Sequence, residues 1–515
     1  MKKIIFIYSI ITAGVLISGC KKNLDIANPN QATTQVFWQN ANDAVAGVNA
    51  VYSTLHRGAI SRWMLFYYNI RSDEGRSQSP ATFIPNNTDK FLITDFNEGI
   101  AYDIWKDLYV GVFRANQVLD NVPNIDMDAT MKGRVIGEAK FLRGLFYYHL
   151  VTLWGNVPLM LKSSTPNDRP ETSLSVDVWA QIEKDLTEAA AALPLTYPNT
   201  TDLGRATKGA ANALLARALM QQHKYTEAIT PLQWLVEGEG KNIYDLMPNY
   251  RDNFLISTEN NKESVFEWQF QLNPSENHDD DTDPRSDNLN YGTSIAQFFA
   301  PPGVGWSDGE ANRWPIYEFL QETTSTGGRD PRLAATFLYD STDILGPNFT
   351  MIYGQTFAQR YGVNGPDSKR VWFRKFLNDA WKNFEGYNSP NNWRYIRYAD
   401  VLLMYAEALN ETNKTTQAYA HIDRVRERAG LLKLSVVKPG LSQTQMRDQI
   451  KHERITELTG EGHRWNDLAR WGDLGPALAS RDPGFANFQL PKHLLLPIPQ
   501  REIDINIFLQ QNPGY

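Results

Sequence analysis

Residues 453–471 read ERITELTGEGHRWNDLARW, and this stretch decides the fold. A helix that begins near Gln443 is predicted to run into it, with an apolar stripe formed by Ile450, Ile455 and Leu458. Gly460 and Gly462 are expected to end that helix, because glycine adopts the left-handed conformation of a helix exit at little cost. A short second helix then turns three apolar side chains toward a core: Trp465, Leu468 and Trp471.

Charged residues of both signs are interleaved with these apolar positions: Glu453, Arg454, Glu457, Glu461, Arg464, Asp467 and Arg470. Each acid has an arginine within helical reach, so the pattern predicts ion pairs, partly withdrawn from water, that lock the helix against its neighbours. Three of the acids are also candidates for the acid/base pair of an enzyme: Glu457, Glu461 and Asp467. A neighbouring arginine keeps a carboxylate ionised and makes it a poor proton donor, so the structural interpretation is favoured over the catalytic one.

The N-terminal region has the pattern of a lipoprotein signal peptide. Lys2 and Lys3 precede an apolar run over residues 4–17, which is too short for a comfortable membrane span. The run ends in Leu-Ile-Ser-Gly-Cys, which looks like a lipobox, the site at which a bacterial signal peptidase cuts once the cysteine thiol carries diacylglycerol. We expect residues 1–19 to be the signal peptide, Cys20 to carry the anchoring acyl chains, and residues 20–35 to form a tether. The alternative is an ordinary secretory peptide with an incidental cysteine, but Cys20 occupies the position that lipidation needs.

Composition and motifs narrow the function classes. The chain has 51 Lys+Arg against 58 Asp+Glu, a formal net charge of -7, and no basic tract, so nucleic acid is not expected as a partner. Cys20 is the one cysteine of the sequence, which excludes an internal disulfide or a cysteine metal site. No zinc-protease, phosphate-loop or Gly-x-Ser-x-Gly motif occurs in the sequence. The acidic run 279–283 lacks the pattern of a known calcium loop, so a solvated turn is favoured, and no metal or cofactor is predicted.

Helical periodicity dominates the chain and predicts a mainly α fold. Amphipathic helices are expected over four N-terminal ranges: 40–55, 100–119, 135–153 and 178–193. An internal repeat follows, because four residues recur later in the chain with the same intervals between them. The first set is Ala216, Leu219, Ala228 and Leu232, and the second is Ala406, Leu409, Ala418 and Ile422. Small residues at a helix crossing, with apolar residues a turn away, are typical of tetratricopeptide-like hairpins, which are favoured over generic antiparallel packing.

A loop-rich insert, residues 237–393, interrupts this helical scaffold. It is rich in Gly, Pro, Asn and Asp, and short strands are expected over three ranges: 264–271, 336–339 and 369–373. We therefore expect a single domain over residues 36–515, with residues 36–236 and 394–475 as the scaffold. Residues 476–515 are expected to form an extended C-terminal segment, because Pro497 and Pro499 exclude a helix there.

The stretch 453–471 also resembles the signature of the SusD/RagB family, which reads approximately ER-x-x-EL-x-x-EG-x-R-W-x-DL-x-R-W. The lipobox and the C-terminal Gln-Asn-Pro-Gly-Tyr are similar to the family pattern too. A further segment is also similar to the family pattern, through Ala139, Arg143, Tyr147, Gly155 and Pro158. One departure is Asn506-Ile507, where the family often has Asn-Pro, so the resemblance does not predict the conformation of the turn at this position.

The resemblance implies a SusD-like α–α superhelix and a lipid-anchored protein on the surface of the outer membrane. Such a protein would bind a glycan or oligosaccharide nutrient and deliver it to a SusC-like TonB-dependent transporter, without catalysis. A peptide-binding member of the family is one alternative. A surface glycoside hydrolase is another, since a glycosidase needs only two placed carboxylates, which a sequence does not reveal. The third is a purely structural scaffold.

Two loop regions combine the residue types that sugars require. Aromatic faces bury the C–H faces of sugar rings, while Asp, Asn or Arg side chains bond the hydroxyl groups. The expected contacts come from residues 63–87 and 291–314, regions similar to those that carry ligand sites in the family: Asp73, Phe83, Asn86, Tyr291, Trp306 and Trp314. For each aromatic taken singly, packing in the core is the competing interpretation.

Overall fold

The computed structural model describes residues 37–79, 84–94, 99–272, 291–343 and 345–515. Four of the sequence-based predictions lie outside these ranges: the signal peptide, the lipid site Cys20 with its tether, Phe83, and the acidic run 279–283. Within the described residues, no helix is both long and apolar enough to cross a bilayer.

The described chain is mainly helical, as predicted. The α-helices are α1 (Ala41–Tyr52), α2 (Met64–Arg71), α3 (Ile84–Asp89), α4 (Gly99–Asn121), α5 (Ala129–Trp154), α6 (Ser175–Ala192), α7 (Lys208–Gln221), α8 (Tyr225–Val236), α9 (Ile295–Phe299), α10 (Trp314–Phe319), α11 (Pro331–Thr336), α12 (Phe357–Tyr361), α13 (Tyr398–Glu411), α14 (Thr415–Arg428), α15 (Leu434–Val437), α16 (Gln443–Leu458), α17 (Arg464–Trp471) and α18 (Gln500–Ile505).

The strands of the described residues are short and lie in or beside the insert, apart from β1. They are β1 (Gly75–Ser77), β2 (Ser264–Trp268), β3 (Gly309–Ala311), β4 (Phe337–Leu338), β5 (Asp340–Asp343), β6 (Gly346–Phe349), β7 (Trp372–Phe373) and β8 (Trp393–Arg397). They form four antiparallel pairs: β1 with β3, β2 with β8, β4 with β7, and β5 with β6. The three predicted strand ranges contain β2, β4 and β7, and the last two pair with each other.

Consecutive helices pack side by side and build one continuous scaffold. Contacts run from α4 through α5, α6 and α7 to α8, then from α8 directly to α13, which packs on α14 and α16. The alanines of the predicted repeat lie at these crossings and are fully buried: Ala216, Ala228, Ala406 and Ala418. The insert therefore leaves the scaffold after α8 and returns before α13 without separating the two halves, which confirms the predicted fold class.

The deciding stretch folds as predicted except at Trp471, which is half-buried and donates its indole N–H to Glu407 at 2.9 Å instead of entering the core. Helix α16 begins at Gln443, where Ser442 and Gln445 form a reciprocal capping box. Gly460 and Gly462 follow the helix with φ of 85° and 86°, and α17 begins two residues later. Trp465 of α17 is buried in the core.

The C-terminal segment differs from the prediction of an extended chain. Short 3₁₀ turns occur at residues 476–480, 483–487 and 492–494, and helix α18 begins directly after Pro499. Proline removes a backbone donor and fixes φ near the helical value, so it bars a helix interior but fits immediately before a helix. Pro499 thus marks the start of α18 instead of excluding it.

Replacing Gly460 by alanine is expected to lower the free energy of unfolding by about 2 kcal/mol. The new Cβ would meet the Phe373 ring at 2.9 Å while the backbone keeps a positive φ. Gly472→Ala is the matched control, because Gly472 also has a positive φ, but a Cβ there would have no other atom of the described residues within 4 Å. It should lose about 1 kcal/mol for backbone strain alone. Urea unfolding of both variants measures the difference, and equal losses would contradict the role of the Phe373 contact.

Candidate functional site

The carboxylates of residues 453–471 are held in buried ion pairs. Glu457 accepts hydrogen bonds from Arg397, Arg428 and Arg332 at 2.9, 2.5 and 3.2 Å. Burial alone would raise the pKa of Glu457, but the three guanidinium groups hold it far below its usual range. A carboxyl group held ionised in this way does not donate a proton near neutral pH, which supports the structural interpretation over the catalytic one.

The ion-pair partners of these acids differ from the prediction in one respect. An arginine within helical reach was expected for each acid, but this holds for Asp467 alone, which pairs with Arg470. The remaining partners come from distant parts of the chain. They are Arg426 for Glu453; Arg332, Arg397 and Arg428 for Glu457; and Lys375 and Arg397 for Glu461. Interior ion pairs are chosen by three-dimensional proximity, which helical spacing does not encode.

Asp73 lies in the interior, and Trp314, which is half-buried, packs beside it. The Asp73 carboxylate is fully buried and accepts from Arg464 at 2.7 Å and from Arg481 at 3.0 Å. Burial alone would raise the pKa of Asp73, but the two arginines hold it below its usual range. The Trp314 indole donates to the Asp73 carbonyl oxygen, and Arg481 covers its ring at 4.1 Å. Asn86 is buried like Asp73, and two arginines cover the Trp314 ring, so none of these three side chains belongs to the ligand-contact surface.

Glu74, next in sequence to Asp73, makes stability depend on pH. Burial raises the pKa of Glu74 to about 7, although its carboxylate accepts the Gly460 N–H at 3.1 Å. A carboxyl group whose pKa is higher in the folded than in the unfolded state stabilises the fold at low pH and loses that contribution as pH rises toward 7. Glu74→Gln keeps the acceptor oxygen without the titration. Relative to the parent, the variant should gain about 2 kcal/mol of stability between pH 5 and pH 8, measured by urea unfolding at both. A difference that does not change with pH would contradict the raised pKa.

Trp306 is the most exposed of the predicted ligand-contact residues that the structure describes. Its side chain is 52% exposed, at the end of the turn formed by residues 301–306. The rings of Phe298 and Tyr387 meet it edge-on, with centroids 5.8 and 5.0 Å away. Its backbone N–H donates to the Gln297 carbonyl at 2.8 Å. The indole is therefore supported by two buried rings while about half of its surface remains in solvent.

A neighbouring loop adds two aromatic residues that the sequence analysis missed. Trp381 is 52% exposed and Phe384 is 55% exposed. The loop is anchored to the Trp306 turn, because the Glu385 N–H donates to the Val304 carbonyl at 2.8 Å. Trp306, Trp381 and Phe384 together are called the Trp306 surface below. The sequence signal was present as aromatic residues every third position, at 381, 384 and 387, within a Gly- and Asn-rich stretch.

Polar side chains next to Trp306 are fixed by hydrogen bonds, starting with Ser307. The Ser307 hydroxyl accepts from Arg370 at 3.0 Å and from the Trp372 indole at 2.8 Å. Glu310 on β3 pairs with Arg76 of β1 at 2.8 Å and also with Arg370. Ser307 and Glu310 are buried, so Arg370, whose side chain is 23% exposed, is the member of this group that a ligand could bond from the surface. An exposed indole next to a fixed donor suits a polar ring-shaped ligand.

Tyr291 is exposed as predicted, but it does not line the same surface as Trp306. Its side chain is 38% exposed, and Thr293 pairs with Ser389 through two backbone hydrogen bonds of 2.8 and 2.9 Å. Tyr291 lines a separate cleft together with residues of α1 and β2. The structure thus places Trp306 and Tyr291 at the surface, buries Asp73 and Asn86, and leaves Trp314 partly covered by arginines.

The fold and this surface define a class of protein: a helical-repeat scaffold whose insert presents exposed aromatic side chains beside ordered polar groups. The chain belongs to the SusD family. The model described as the SusD family matches residues 234–515, and a second model, described as starch-binding and associating with the outer membrane, matches residues 24–220.

Individual relatives agree with this membership. A SusD-like protein of Formosa agariphila is 28% identical, covering 93% of this chain and 94% of the relative. The solved structure of a laminarin-binding SusD-like protein is 28% identical, covers 93% of this chain and 100% of its own, and superposes with a TM-score of 0.76. A SusD superfamily protein of Bacteroides vulgatus is 25% identical with a TM-score of 0.78, over 93% of this chain and 100% of the other. These matches confirm the predicted family and its mainly α fold.

Proposed function

We propose that this protein captures an oligosaccharide outside the cell through the Trp306 surface and does not cleave it. The observation that carries the proposal is the half-exposed indole of Trp306, which Phe298 and Tyr387 support and beside which Arg370 donates to Ser307. Sugar rings stack their C–H faces on such indoles and bond fixed polar groups with their hydroxyls. The similar structure of a laminarin-binding SusD-like protein supports this ligand class.

The absence of catalysis is part of the proposal. The buried acids of residues 453–471 are held ionised by arginines, as the lowered pKa values of Glu457 and Glu461 indicate. They lie inside the scaffold, away from the exposed Trp306 face. A glycosidase needs one carboxyl group that is protonated beside the sugar, which these groups do not supply.

We further propose that the mature protein begins at the lipidated Cys20, lies on the outer membrane, and passes its ligand to a SusC-like TonB-dependent transporter. The lipobox pattern and the family description of association with the outer membrane support the location. In this arrangement residues 36–236 and 394–475 are the scaffold and residues 237–393 carry the ligand contacts. The direct packing of α8 on α13 supports that division, because the insert projects from a continuous helical body.

A binding panel tests the proposed function. The soluble protein, starting after Cys20, is titrated calorimetrically with laminarin, soluble starch and a mixture of peptides of matched length. We expect binding to at least one of the two glucans and none to the peptides. Peptide binding without glucan binding would favour the peptide-binding alternative. Reducing ends released from either glucan over a day would favour the hydrolase.

A further inference from the structure

A second concave surface lies between α1, the loop 201–205 and β2. Its volume is about 780 Å³, within the range of ligand-binding clefts, and Tyr291 is among its lining residues. None of the three residues of the Trp306 surface lines it. The cleft is therefore a separate place at which a ligand could be held.

Hydrogen bonds between its walls fix the shape of this cleft. Arg205 Nη2 donates to Asn49 Oδ1 at 2.7 Å, which joins the loop to α1. His56 Nε2 lies 2.9 Å from the Gln269 carbonyl oxygen, which joins the end of α1 to the end of β2. Walls fixed before the ligand arrives lose little conformational entropy on binding.

Small residues keep the cleft open. Gly204 has a φ of 89°, and a Cβ there would come within 2.4 Å of the Gln269 side chain, so glycine lets the loop lie directly against β2. On the opposite wall, α1 presents the exposed side chains of Ala46 and Ala50, one turn apart. Longer side chains at these two positions would extend into the space.

The lining mixes apolar faces with polar groups, three of which are charged: Arg114, Arg205 and Glu267. Tyr291 and Leu203 are exposed and Phe266 forms part of the wall, while Asn49 and Thr201 are exposed polar residues. A smaller cleft of about 230 Å³ continues past Gly204 and shares Leu203 and Phe266 with the first. A sugar chain, with apolar ring faces and hydroxyl edges, matches an elongated surface of this mixed character.

The groove beside Trp381 provides a contrast. It has a volume of about 590 Å³, but its lining is dominated by apolar side chains such as Leu272, Leu377 and Pro390. Hydroxyl groups buried there would lose their bonds to water without gaining many partners. The cleft beside Tyr291 is therefore the better candidate for a glycan.

We propose that the cleft between α1, the loop 201–205 and β2 is a second oligosaccharide subsite, with Tyr291 as its aromatic contact; this rests on the proposed glycan binding. Two subsites on one rigid body hold one long chain more tightly than either subsite alone, because the second contact becomes intramolecular. The ligand of this subsite is the same glycan chain that the Trp306 surface takes.

Calorimetric titration with laminarihexaose, a short fragment of laminarin, tests the second subsite. Five proteins are compared: the parent, Trp306→Ala, Ala50→Gln, Tyr291→Ala and a matched control. Ala50→Gln places a longer neutral side chain in the cleft on an exposed helical position. The matched control is Ala191→Gln, also exposed on a helix, α6, but outside the cleft. We expect two binding sites in the parent and the control, and one site in each of the other three.

The outcomes separate this inference from the proposed function. If the parent has one site that Trp306→Ala removes and Ala50→Gln leaves unchanged, the second subsite is overturned while glycan binding stands. If Ala50→Gln removes the single site and Trp306→Ala does not, the cleft stands and the Trp306 surface is overturned. No binding of laminarihexaose by the parent overturns the second subsite, and the proposed glycan capture is overturned as well if neither laminarin nor starch binds in the panel.

Discussion

Replacing Arg397 by methionine is expected to lower the free energy of unfolding by about 3–5 kcal/mol. Arg397 is buried at the end of β8 and donates to three carboxylates: Glu263 at 2.5 Å, Glu457 at 2.9 Å and Glu461 at 2.7 Å. Methionine fills a similar volume but donates no hydrogen bond. The three carboxylates would remain in the interior with fewer positive partners, and uncompensated buried charge is among the most destabilising changes known in proteins.

The position of Arg397 explains why the effect should reach the whole fold. Glu263 comes directly before β2 in the insert, while Glu457 and Glu461 belong to the stretch that ends α16. One guanidinium group therefore ties the base of the insert to the C-terminal half of the scaffold. Loss of this contact should loosen the insert and the helices together.

Urea unfolding measures the loss, with Arg424→Met as the matched control. Arg424 on α14 pairs with Asp245 at 2.9 Å, but both side chains are substantially exposed. Exposed pairs contribute at most about 1 kcal/mol, so the control should remain close to the parent. A loss of similar size in both variants would contradict the claim that the Arg397 cluster holds the two halves together.

The helical scaffold was predictable because its signals are local. Helix α16 starts at the predicted Gln443, and the strands β4 and β7 fall within predicted ranges. Apolar periodicity, capping residues and glycine exits act over a few residues, so they can be recognised without knowing the rest of the fold. Ion-pair partners cannot be recognised this way: Arg464 pairs with Asp73, which lies at the other end of the chain.

The candidate site was less predictable because exposure is a property of the tertiary structure. Asp73 and Trp306 both occur in loops rich in polar and aromatic residues, yet Asp73 is buried by two arginines and Trp306 is half exposed. Both were predicted as ligand contacts from the composition of their loops. What differs is whether a distant arginine folds over the side chain, and a single sequence does not contain that information. Trp381 was missed for the converse reason, since its exposure was not expected from its neighbours.

Trp306→Ala is expected to weaken glycan binding about 100-fold. A tryptophan that is fixed by its neighbours and half exposed is the kind of residue that dominates a binding interface, where truncation costs about 2 kcal/mol or more, and about 2.7 kcal/mol corresponds to 100-fold. The ring is positioned by Phe298 and Tyr387 before the ligand arrives, so stacking needs little ordering of the protein. Calorimetric titration with laminarin measures the change.

Tyr317→Ala is the matched control for this variant, because Tyr317 on α10 is also an exposed aromatic residue but does not belong to the Trp306 surface. It should bind laminarin as the parent does. The unfolding midpoint of Trp306→Ala should stay near that of the parent, because about half of the ring is already in solvent. If Trp306→Ala retained the affinity of the parent, Trp306 would have no role in capture. If it instead lost affinity together with stability, the ring would support the loop that carries Trp381 and Phe384. The combination that supports direct stacking is therefore a large loss of affinity with an unchanged unfolding midpoint.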